Sequence, residues 1–313
     1  MCATGRDRGA VGPRRYAPAA RTPRECLLNL SKHKDRAELR RVPRRWARRA
    51  YWRVVASTHR ALELRYGIRT EGDIDLEDLG VAAEHRLGYE GSHWVGVRRA
   101  LRRLTVTRAD VFADFGSGKG PAVLVAATFP FRRALGVEIS DDLTRSAQRN
   151  LERSRMRPRA ESVEFVTADV LEYEIPDDLS VVYLYNPFTG LLFARFLERL
   201  LRSLERRPRP LRLVYNYPFE HNHVIASGRF RPIDLSYSYW PAWYRRPGYV
   251  ILTYEALAPD GGSYAALPGK RSSPERLGPW RDRHDPGWEL VGPQHATATD
   301  ANRARELEVP NRP

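Results

Sequence analysis

The sequence predicts an α/β fold, a doubly wound and mostly parallel seven-stranded sheet with a terminal antiparallel hairpin, preceded by N-terminal helices. Two observations predict it. From residue 107 onward, short apolar runs alternate with turns and helical stretches, which gives five β/α units in succession. The last two apolar runs, 232–237 and 249–254, are joined without a helix-length segment, so we expect them to pair antiparallel.

Each element follows from the spacing of its apolar residues. Apolar positions at helical spacing predict a helix over about 46–65 and a second helix that begins after its N-cap, Ser92. The five strands of the β/α units are predicted at 111–115, 134–138, 163–167, 181–185 and 211–215. The helices that follow them are predicted over 121–127, 140–153 (with Ser140 as its N-cap) and 191–204.

Composition divides the chain into three parts. Of the 313 residues 42% are hydrophobic, which excludes a wholly disordered chain. The formal net charge is +15, and residues 1–50 alone carry 15 Lys and Arg against 4 Asp and Glu. We therefore expect a flexible basic arm at 1–45, a domain at 46–257 (helical lead-in 46–106, sheet core 107–257) and a disordered tail at 258–313. The arm predicts contact with an acidic partner.

Cysteine usage and apolar run lengths predict where the protein works. No apolar stretch approaches the length of a membrane span, and no signal-peptide core develops in the first thirty residues. Cys2 and Cys26 both fall in the basic arm, where they cannot staple a fold, and this favours a reducing compartment. Together these features predict a cytoplasmic protein without a membrane contact.

The first predicted strand ends in a glycine-rich turn, Asp114-Phe115-Gly116-Ser117-Gly118-Lys119-Gly120, which opens the next helix. Glycines in such a turn let the backbone adopt positive φ and approach a nucleotide-like ligand beneath a helix N-terminus. Glu138 ends the second strand, where a carboxylate can accept hydrogen bonds from ribose hydroxyls. Asp169 follows the third strand, where a carboxylate can accept one from an adenine amino group.

The fourth strand runs into Asn186-Pro187-Phe188 at the edge where open α/β sheets place their ligands. With the glycine turn and the two acids, this constellation resembles the class I S-adenosylmethionine-dependent methyltransferases over roughly 107–257. The resemblance implies S-adenosylmethionine as cofactor. It implies that residues 114–120 wrap the methionine and ribose portions, that Glu138 holds the ribose, that Asp169 lies beside the adenine, and that Asn186 also contacts the cofactor.

The resemblance leaves the methyl acceptor open among protein, RNA and small molecules, with nitrogen as a candidate acceptor atom. Asn186-Pro187-Phe188 is similar to the Asn-Pro-Pro-Tyr/Phe signature of amino-group methyltransferases, but lacks its second proline. In those enzymes the Asn side chain and the next carbonyl hydrogen-bond the target amine, which makes Asn186 and Phe188 the candidate catalytic residues. The glycine turn and Tyr89-Glu90-Gly91-Ser92 also partly resemble the non-SET histone-lysine methyltransferases.

Other functions fit the glycine turn less well. A P-loop is excluded, because Gly120 follows Lys119 and Ala113 occupies the first glycine position. A nicotinamide-dependent oxidoreductase remains as an alternative, although Pro121 stands where its third glycine belongs. A nucleic-acid-binding protein with a cofactor-like fold is the other alternative, motivated by the basic arm.

Three further features have two interpretations each. Lys119 is either solvated or close to the carboxylate of the cofactor. His221 and His223 have no second ligand pair at suitable spacing, so we interpret them as a surface loop and predict no metal site. The aromatic segment 237–244 is either a hairpin that covers the sheet edge or a wall for substrate.

Overall fold

The structure is a computed structural model that describes residues 41–72, 74, 78, 85–238, 250–264 and 268–277, with the backbone alone for 41–49 and Trp52. By its internal contacts the chain divides after Ala56 into two units. The described residues of the first unit form the beginning of one helix. The sheet and the site described below belong to the second unit.

The described residues form seven helices and seven strands. The helices are α1 (Arg41–Tyr66), α2 (Trp94–Leu101), α3 (Pro121–Ala126), α4 (Asp141–Arg153), α5 (Gly190–Arg206), α6 (His221–Ala226) and α7 (Pro274–Leu277). The strands are β1 (Val111–Phe115), β2 (Arg133–Glu138), β3 (Ser162–Thr167), β4 (Val181–Tyr185), β5 (Arg212–Asn216), β6 (Phe230–Tyr237) and β7 (Val250–Ala256). None of the described helices is long and apolar enough to cross a membrane.

The strands form one sheet in the order β3-β2-β1-β4-β5-β7-β6. The first five strands pair in parallel, and β7 pairs antiparallel with both β5 and β6. The predicted fold class is therefore confirmed, including the antiparallel end. The strand order reverses between β1 and β4, and this switch point is where a doubly wound sheet opens a crevice for ligands.

Both faces of the sheet are covered, as expected for parallel strands with crossover helices. All five residues of β1 are buried, and they alternate between two apolar clusters. Phe115 belongs to the cluster beneath α5, whereas Phe112 belongs to the cluster beneath α2 and α3. The face of α5 that packs on the sheet repeats at three and four residues, through Leu192, Phe193, Phe196, Leu197, Leu200, Ser203 and Leu204.

Three local predictions need comment. Ser140 caps α4 as predicted, because its Oγ accepts a hydrogen bond from Leu143 N at 3.3 Å. The predicted cap at Ser92 is wrong: α2 begins after His93, and the Ser92 hydroxyl instead accepts from the hydroxyl of Tyr183 on β4. The loop predicted around His221 is also wrong, since His221–Ala226 is a short helix that buries His221 against the hydroxyl of Tyr254.

The chain continues to pack against the sheet beyond residue 257, where the sequence predicts the tail to begin. Ser272 N donates to Ile233 O at 3.0 Å, and Leu235 N donates to Ser272 Oγ at 3.0 Å. Leu277 is only 3% exposed. This pairing satisfies backbone groups of β6 that an uncovered edge strand would leave without partners. The arm residues 1–40, most of the aromatic segment and residues 278–313 lie outside the described residues.

Candidate functional site

A cavity opens at the carboxyl ends of β1 to β4, and it encloses about 750 Å³ when the space open to solvent is included. Each of these four strands contributes predicted residues to its lining. These are Gly116 and Ser117 after β1, Glu138 at the end of β2, Asp169 after β3, and Phe188 after β4. The structure therefore brings together side chains that are up to 72 positions apart in the sequence. The predicted residues Asp114, Gly118, Gly120 and Asn186 lie next to the lining rather than in it.

The glycine turn needs its glycines for two reasons. Gly116 and Gly118 have φ of 80° and 54°, a region that L side chains rarely adopt. A Cβ on Gly116 would also lie 2.3 Å from Pro187 Cβ, and one on Gly118 would lie 2.1 Å from the Tyr89 ring. The turn is thus held tightly between the residues after β4 and a segment that precedes the sheet. The motif was predicted, but these neighbours were not.

Ser117 presents a polar atom to the cavity. The residue is 3% exposed, and its Oγ has no hydrogen-bond partner among the described residues. Burying a hydroxyl without a partner costs free energy, so such groups are usually satisfied by water or by a ligand. Because Ser117 lines the cavity, a bound ligand can supply the missing hydrogen bond.

Two buried carboxyl groups lie beneath the turn. Glu138 Oε2 accepts from Gly118 N at 2.8 Å, and Glu138 Oε1 accepts from Ser140 N at 3.0 Å. Burial raises the pKa of Glu138, although these backbone hydrogen bonds oppose the shift. Burial also raises the pKa of Asp114 well above its usual value, and the neighbouring Glu138 raises it further. Two carboxyls at such close quarters favour a ligand that carries positive charge.

Residues 85–90, which we call the strap, run along the motif that follows β4. Leu87 N donates to Pro187 O at 3.1 Å, and Thr189 N donates to His85 O at 2.8 Å. Arg86 and Phe188 form an antiparallel bridge between these two hydrogen bonds. Five consecutive strap residues, 86–90, also line the cavity. The strap is therefore a wall of the cavity, fixed by its own backbone.

One side chain of the strap spans the cavity to the far strand end. Arg86 Nη2 lies 2.5 Å from Asp169 Oδ2, while Asp169 Oδ1 accepts from Leu171 N at 2.9 Å. Sequence reasoning missed Arg86, since a lone arginine outside any motif carries no signal of such a pairing. At the other end of the strap, Tyr89 donates its hydroxyl to Thr70 O at 2.5 Å.

Lys119 links the turn to the lead-in rather than standing alone in solvent. Its Nζ donates to Glu71 O at 2.8 Å and lies 4.9 Å from the centroid of the Tyr89 ring. The Lys119 carbonyl in turn accepts from Asn150 Nδ2 at 3.0 Å, and the same amide group donates to Arg69 O. These contacts thus tie the glycine turn to residues 69–71 of the lead-in.

Asn186, the first candidate catalytic residue, is half-buried and adopts φ of 44°, a conformation that Asn tolerates better than most residues. Its Oδ1 accepts from the Tyr215 hydroxyl at 3.3 Å. Phe188, the second candidate, is 4% exposed and packs on Phe196 with ring centroids 5.2 Å apart. Its neighbours Tyr185 and Pro187 line the cavity with it. No metal-binding group of three His, Cys, Asp or Glu side chains exists within the part of the chain that the structure describes.

Comparison with known proteins decides the family. The sequence profile of the family described as "Histone methylation protein DOT1" matches residues 91–174. A protein-lysine N-methyltransferase of Saccharolobus islandicus is 31% identical over 125 residues, which are 40% of this chain and 71% of that protein. The chain belongs to the class I S-adenosylmethionine-dependent methyltransferases and is similar to the histone-lysine methyltransferases among them. The methyltransferase therefore binds S-adenosylmethionine, and the oxidoreductase and non-catalytic alternatives are set aside.

Two further proteins are similar to parts of the chain. The H3 lysine-79 specific histone-lysine N-methyltransferase of Drosophila melanogaster is 41% identical over 54 residues, which are 17% of this methyltransferase and only 3% of that enzyme. Among solved structures, an RNA methyltransferase from Salinibacter ruber in complex with S-adenosyl-L-homocysteine is 23% identical, with a TM-score of 0.36. That match covers 56% of this chain and 95% of that chain.

The residues present in the cavity fit S-adenosylmethionine. The cofactor carries a positive sulfur, which suits the two buried carboxyls, Asp114 and Glu138. Gly116 and Ser117 line the cavity, and the Ser117 hydroxyl offers a hydrogen-bond group. Each Glu138 oxygen accepts one hydrogen bond from the protein and can accept another from a ligand hydroxyl.

Proposed function

We propose that this methyltransferase transfers the methyl group to the amino nitrogen of a lysine side chain in a protein. The observation that carries the proposal is a pair of acceptor oxygens beside the cavity. Asn186 Oδ1 accepts one hydrogen bond from Tyr215, and Pro187 O accepts one from Leu87 N. Each oxygen keeps a second lone pair. A neutral amine can donate its two N–H groups to such a pair while its own lone pair stays available for attack.

The similar proteins support the same acceptor. The Saccharolobus relative is named as a protein-lysine methyltransferase and the Drosophila relative as a histone-lysine methyltransferase. The Asn-Pro-Phe sequence departs from the amino-group signature by its missing second proline, yet Asn186 and Pro187 supply the same two kinds of oxygen. The departure therefore changes the turn without removing the acceptors.

We infer roles for the cofactor-binding residues from the same geometry. Residues 114–120 would hold the methionine and ribose portions, with Asp114 acting from behind the turn and Ser117 within the cavity. Glu138 would accept from the ribose hydroxyls, and Asp169 would lie beside the adenine, where it also pairs with Arg86. Asn186, next to the lining, would contact the cofactor at its reacting end.

The chemistry requires positioning more than an activated side chain. The bound cofactor supplies an electrophilic methyl group on a positively charged sulfur. Asn186 and Pro187 would orient the amine, Phe188 would wall the site, and the strap would exclude water. The amine nitrogen forms its bond to the methyl carbon while the carbon–sulfur bond breaks. A lysine ammonium must first lose a proton, and Glu90, an exposed strap residue that lines the cavity, is our candidate to accept it.

Transfer of labelled methyl groups tests this function. Core histones, poly-L-lysine, total RNA and the small-molecule fraction of a cell lysate are each incubated with the enzyme and labelled cofactor. We expect label in the two lysine-rich pools, its recovery as methyl-lysine after hydrolysis, and its loss when the lysines are chemically dimethylated beforehand. Asn186→Ala should lower transfer by about a hundredfold, the loss expected when a group that orients a reactant is removed. The control Asn222→Ala, an exposed asparagine on α6, should not. Label confined to RNA or to small molecules would refute the proposal.

We further infer that the basic arm contacts an acidic partner and that the enzyme is cytoplasmic. The arm proposal is supported by its excess of Arg and Lys, and the location by the two cysteines at 2 and 26. Deleting residues 2–40 should weaken retention on phosphocellulose and reduce its salt dependence. Equal retention of both chains would contradict a role for the arm, and recovery of the full chain in a membrane or periplasmic fraction would contradict the location.

A further inference from the structure

The hydroxyl of Tyr215 makes two hydrogen bonds, one as acceptor and one as donor. Tyr215, on β5, is fully buried. Glu220 N donates to its oxygen at 3.3 Å, and the hydroxyl donates to Asn186 Oδ1 at 3.3 Å. Burial raises the pKa of Tyr215, so the group remains a protonated donor. A backbone N–H can only donate, so Glu220 N cannot accept the hydroxyl proton. The oxygen of Asn186 can accept it, whereas the NH₂ group could not.

Glu220 holds the same loop from its other end. Its carboxylate is almost completely buried, and Oε1 accepts from Gly190 N at 2.7 Å. Its Oε2 lies 2.5 Å from His223 Nδ1. Gly190 begins α5, four residues after Asn186. Strand β5 and the loop that follows it thus hold both ends of the loop after β4. Tyr215 contacts Asn186 at one end, and Glu220 contacts Gly190 at the other.

The orientation of the asparagine amide decides whether a substrate meets its acceptor oxygen or its donor NH₂ group. Rotating the Asn186 amide by half a turn would exchange its oxygen for an NH₂ group. An amine that needs to donate its N–H groups would then meet a donor, and the reacting nitrogen would be pushed away rather than held. The Tyr215 hydroxyl makes the rotated form costly, because it would leave a buried donor without an acceptor.

We propose that Tyr215 and Glu220 are positioning residues that lock the Asn186 amide in the orientation required for methyl transfer. The proposal rests on the acceptor-orienting role of Asn186 stated above. It predicts that the Tyr215 hydroxyl acts chiefly on the position of the methyl acceptor, because its hydrogen bonds to other described residues are those with Asn186 Oδ1 and Glu220 N.

The test compares two variants, each of which lacks one buried tyrosine hydroxyl. Tyr215→Phe removes the lock, whereas the control Tyr254→Phe removes an equally buried hydroxyl that bonds His221 Nδ1 at 2.8 Å. The side-chain amide signals of isotope-labelled asparagine are recorded by NMR, and the Asn186 signal is assigned as the one lost in Asn186→Ala. We expect Tyr215→Phe to shift or split this signal and Tyr254→Phe to leave it unchanged. An unchanged signal, or an equal change in both variants, overturns the proposal.

Kinetics supply the second readout. Tyr215→Phe should lower transfer to core histones by about tenfold, the size expected for one hydrogen bond in a polar network, while calorimetry finds cofactor affinity within twofold of the wild type. Asn186→Asp offers an oxygen in either orientation, so Tyr215→Phe should cost less in that background. An equal cost in both backgrounds contradicts the lock.

The NMR readout keeps the two proposals separate. If no lysine in any pool is methylated, the proposed function fails, and the Asn186 signal still decides whether Tyr215 holds the amide. Should Tyr215→Phe fail to fold, Glu220→Gln tests the other half of the lock. Gln retains an oxygen acceptor for Gly190 N but replaces the second oxygen, which contacts His223 Nδ1, by an NH₂ group, and we expect a smaller shift of the same signal. No shift in that variant overturns the role of Glu220.

Discussion

Asp114 combines a cost in stability with a benefit in binding. The folded chain buries its carboxyl group beside Glu138, and both effects raise its pKa above the value of the unfolded chain. The folded state therefore holds the proton more tightly than the unfolded state. Its contribution to stability is present below the unfolded pKa of about 3.9 and is lost as pH rises through the folded pKa. We propose that a positively charged cofactor offsets this cost by favouring the ionised form of Asp114.

Asp114→Asn should therefore separate stability from binding. At neutral pH we expect a higher Tm for the cofactor-free variant, because the uncharged amide avoids the buried charge. The wild type should gain about 2.7 kcal/mol at a cofactor concentration one hundred times Kd, and the variant should gain almost nothing at that concentration. Thermal unfolding with and without S-adenosylmethionine, from pH 4 to 8, measures both. A variant that is stabilised by the cofactor as strongly as the wild type would contradict the role of Asp114.

Whether a residue of the site could be predicted from the sequence depends on how far away its partner lies along the chain. The turn 114–120, Glu138 and Asp169 could be predicted because each follows a recognisable strand within a few positions. Arg86 and Tyr215 could not, because their partners lie 83 and 29 residues away and nothing local marks them. Long-range pairs of single side chains depend on the finished fold, which the pattern of apolar residues specifies only at the level of elements.

At the scale of elements, an ion pair fastens α2 to the far edge of the sheet. Arg103, just after α2, donates to both carboxylate oxygens of Asp234 on β6. Asp234 is only 2% exposed, and Ser272 Oγ also donates to it at 2.9 Å. Asp234 therefore connects β6 with two segments that are distant in the sequence, through Arg103 and Ser272.

Arg103→Ala should cost about 3 kcal/mol of unfolding free energy, because it leaves a buried carboxylate without its counter-charge. Arg108→Ala is the matched control. It removes the exposed ion pair with Glu161 and should cost less than about 1 kcal/mol. Urea unfolding at constant pH measures both values. Equal losses in the two variants would contradict the assignment of Arg103 as a buried tie.

Elements were predicted well where a run of apolar residues is long or bounded by clear turns. β1 and β4 match their predicted bounds, and Ser140 caps α4 as predicted. The sequence failed where a short element depends on its neighbours. α6 has six residues, too few for a helical period to be recognised, and Ser92 resembles a cap although Tyr183 uses its hydroxyl.

At the scale of the whole molecule, the structure supports a later C-terminal boundary of the domain than the one that the sequence predicts. Pro268 and Lys270 pair with residues 103–105, Ser272 pairs with β6, and Leu277 lies in the core. We therefore infer that the domain extends at least to 277 rather than to 257. Sequence reasoning placed the boundary earlier because this stretch is rich in Gly, Pro and Ser and has no sustained period. This stretch contributes to the stability of the domain through backbone hydrogen bonds and a single buried leucine, Leu277.

Two truncated chains test this boundary. A chain that ends at residue 257 should lose at least the 1.5–3 kcal/mol expected for burying one leucine, together with the hydrogen bonds of Ser272. A chain that ends at 277 keeps both and should be the more stable of the two. Thermal unfolding of the two chains and the full protein measures the difference. Equal Tm values for both truncated chains would contradict the longer domain.

The strap determines which residues a fragment must include if this cavity is to be transplanted into another protein. A fragment that starts at β1 would carry the glycine turn, both predicted acids and the Asn-Pro-Phe motif, and would look complete by sequence. It would still lack Arg86, Tyr89 and the backbone of Leu87, and with them one wall of the cavity in which we propose that the cofactor binds. The portable unit is therefore the sheet together with the segment that precedes it, and a graft designed on the motifs alone would leave the cavity open to water.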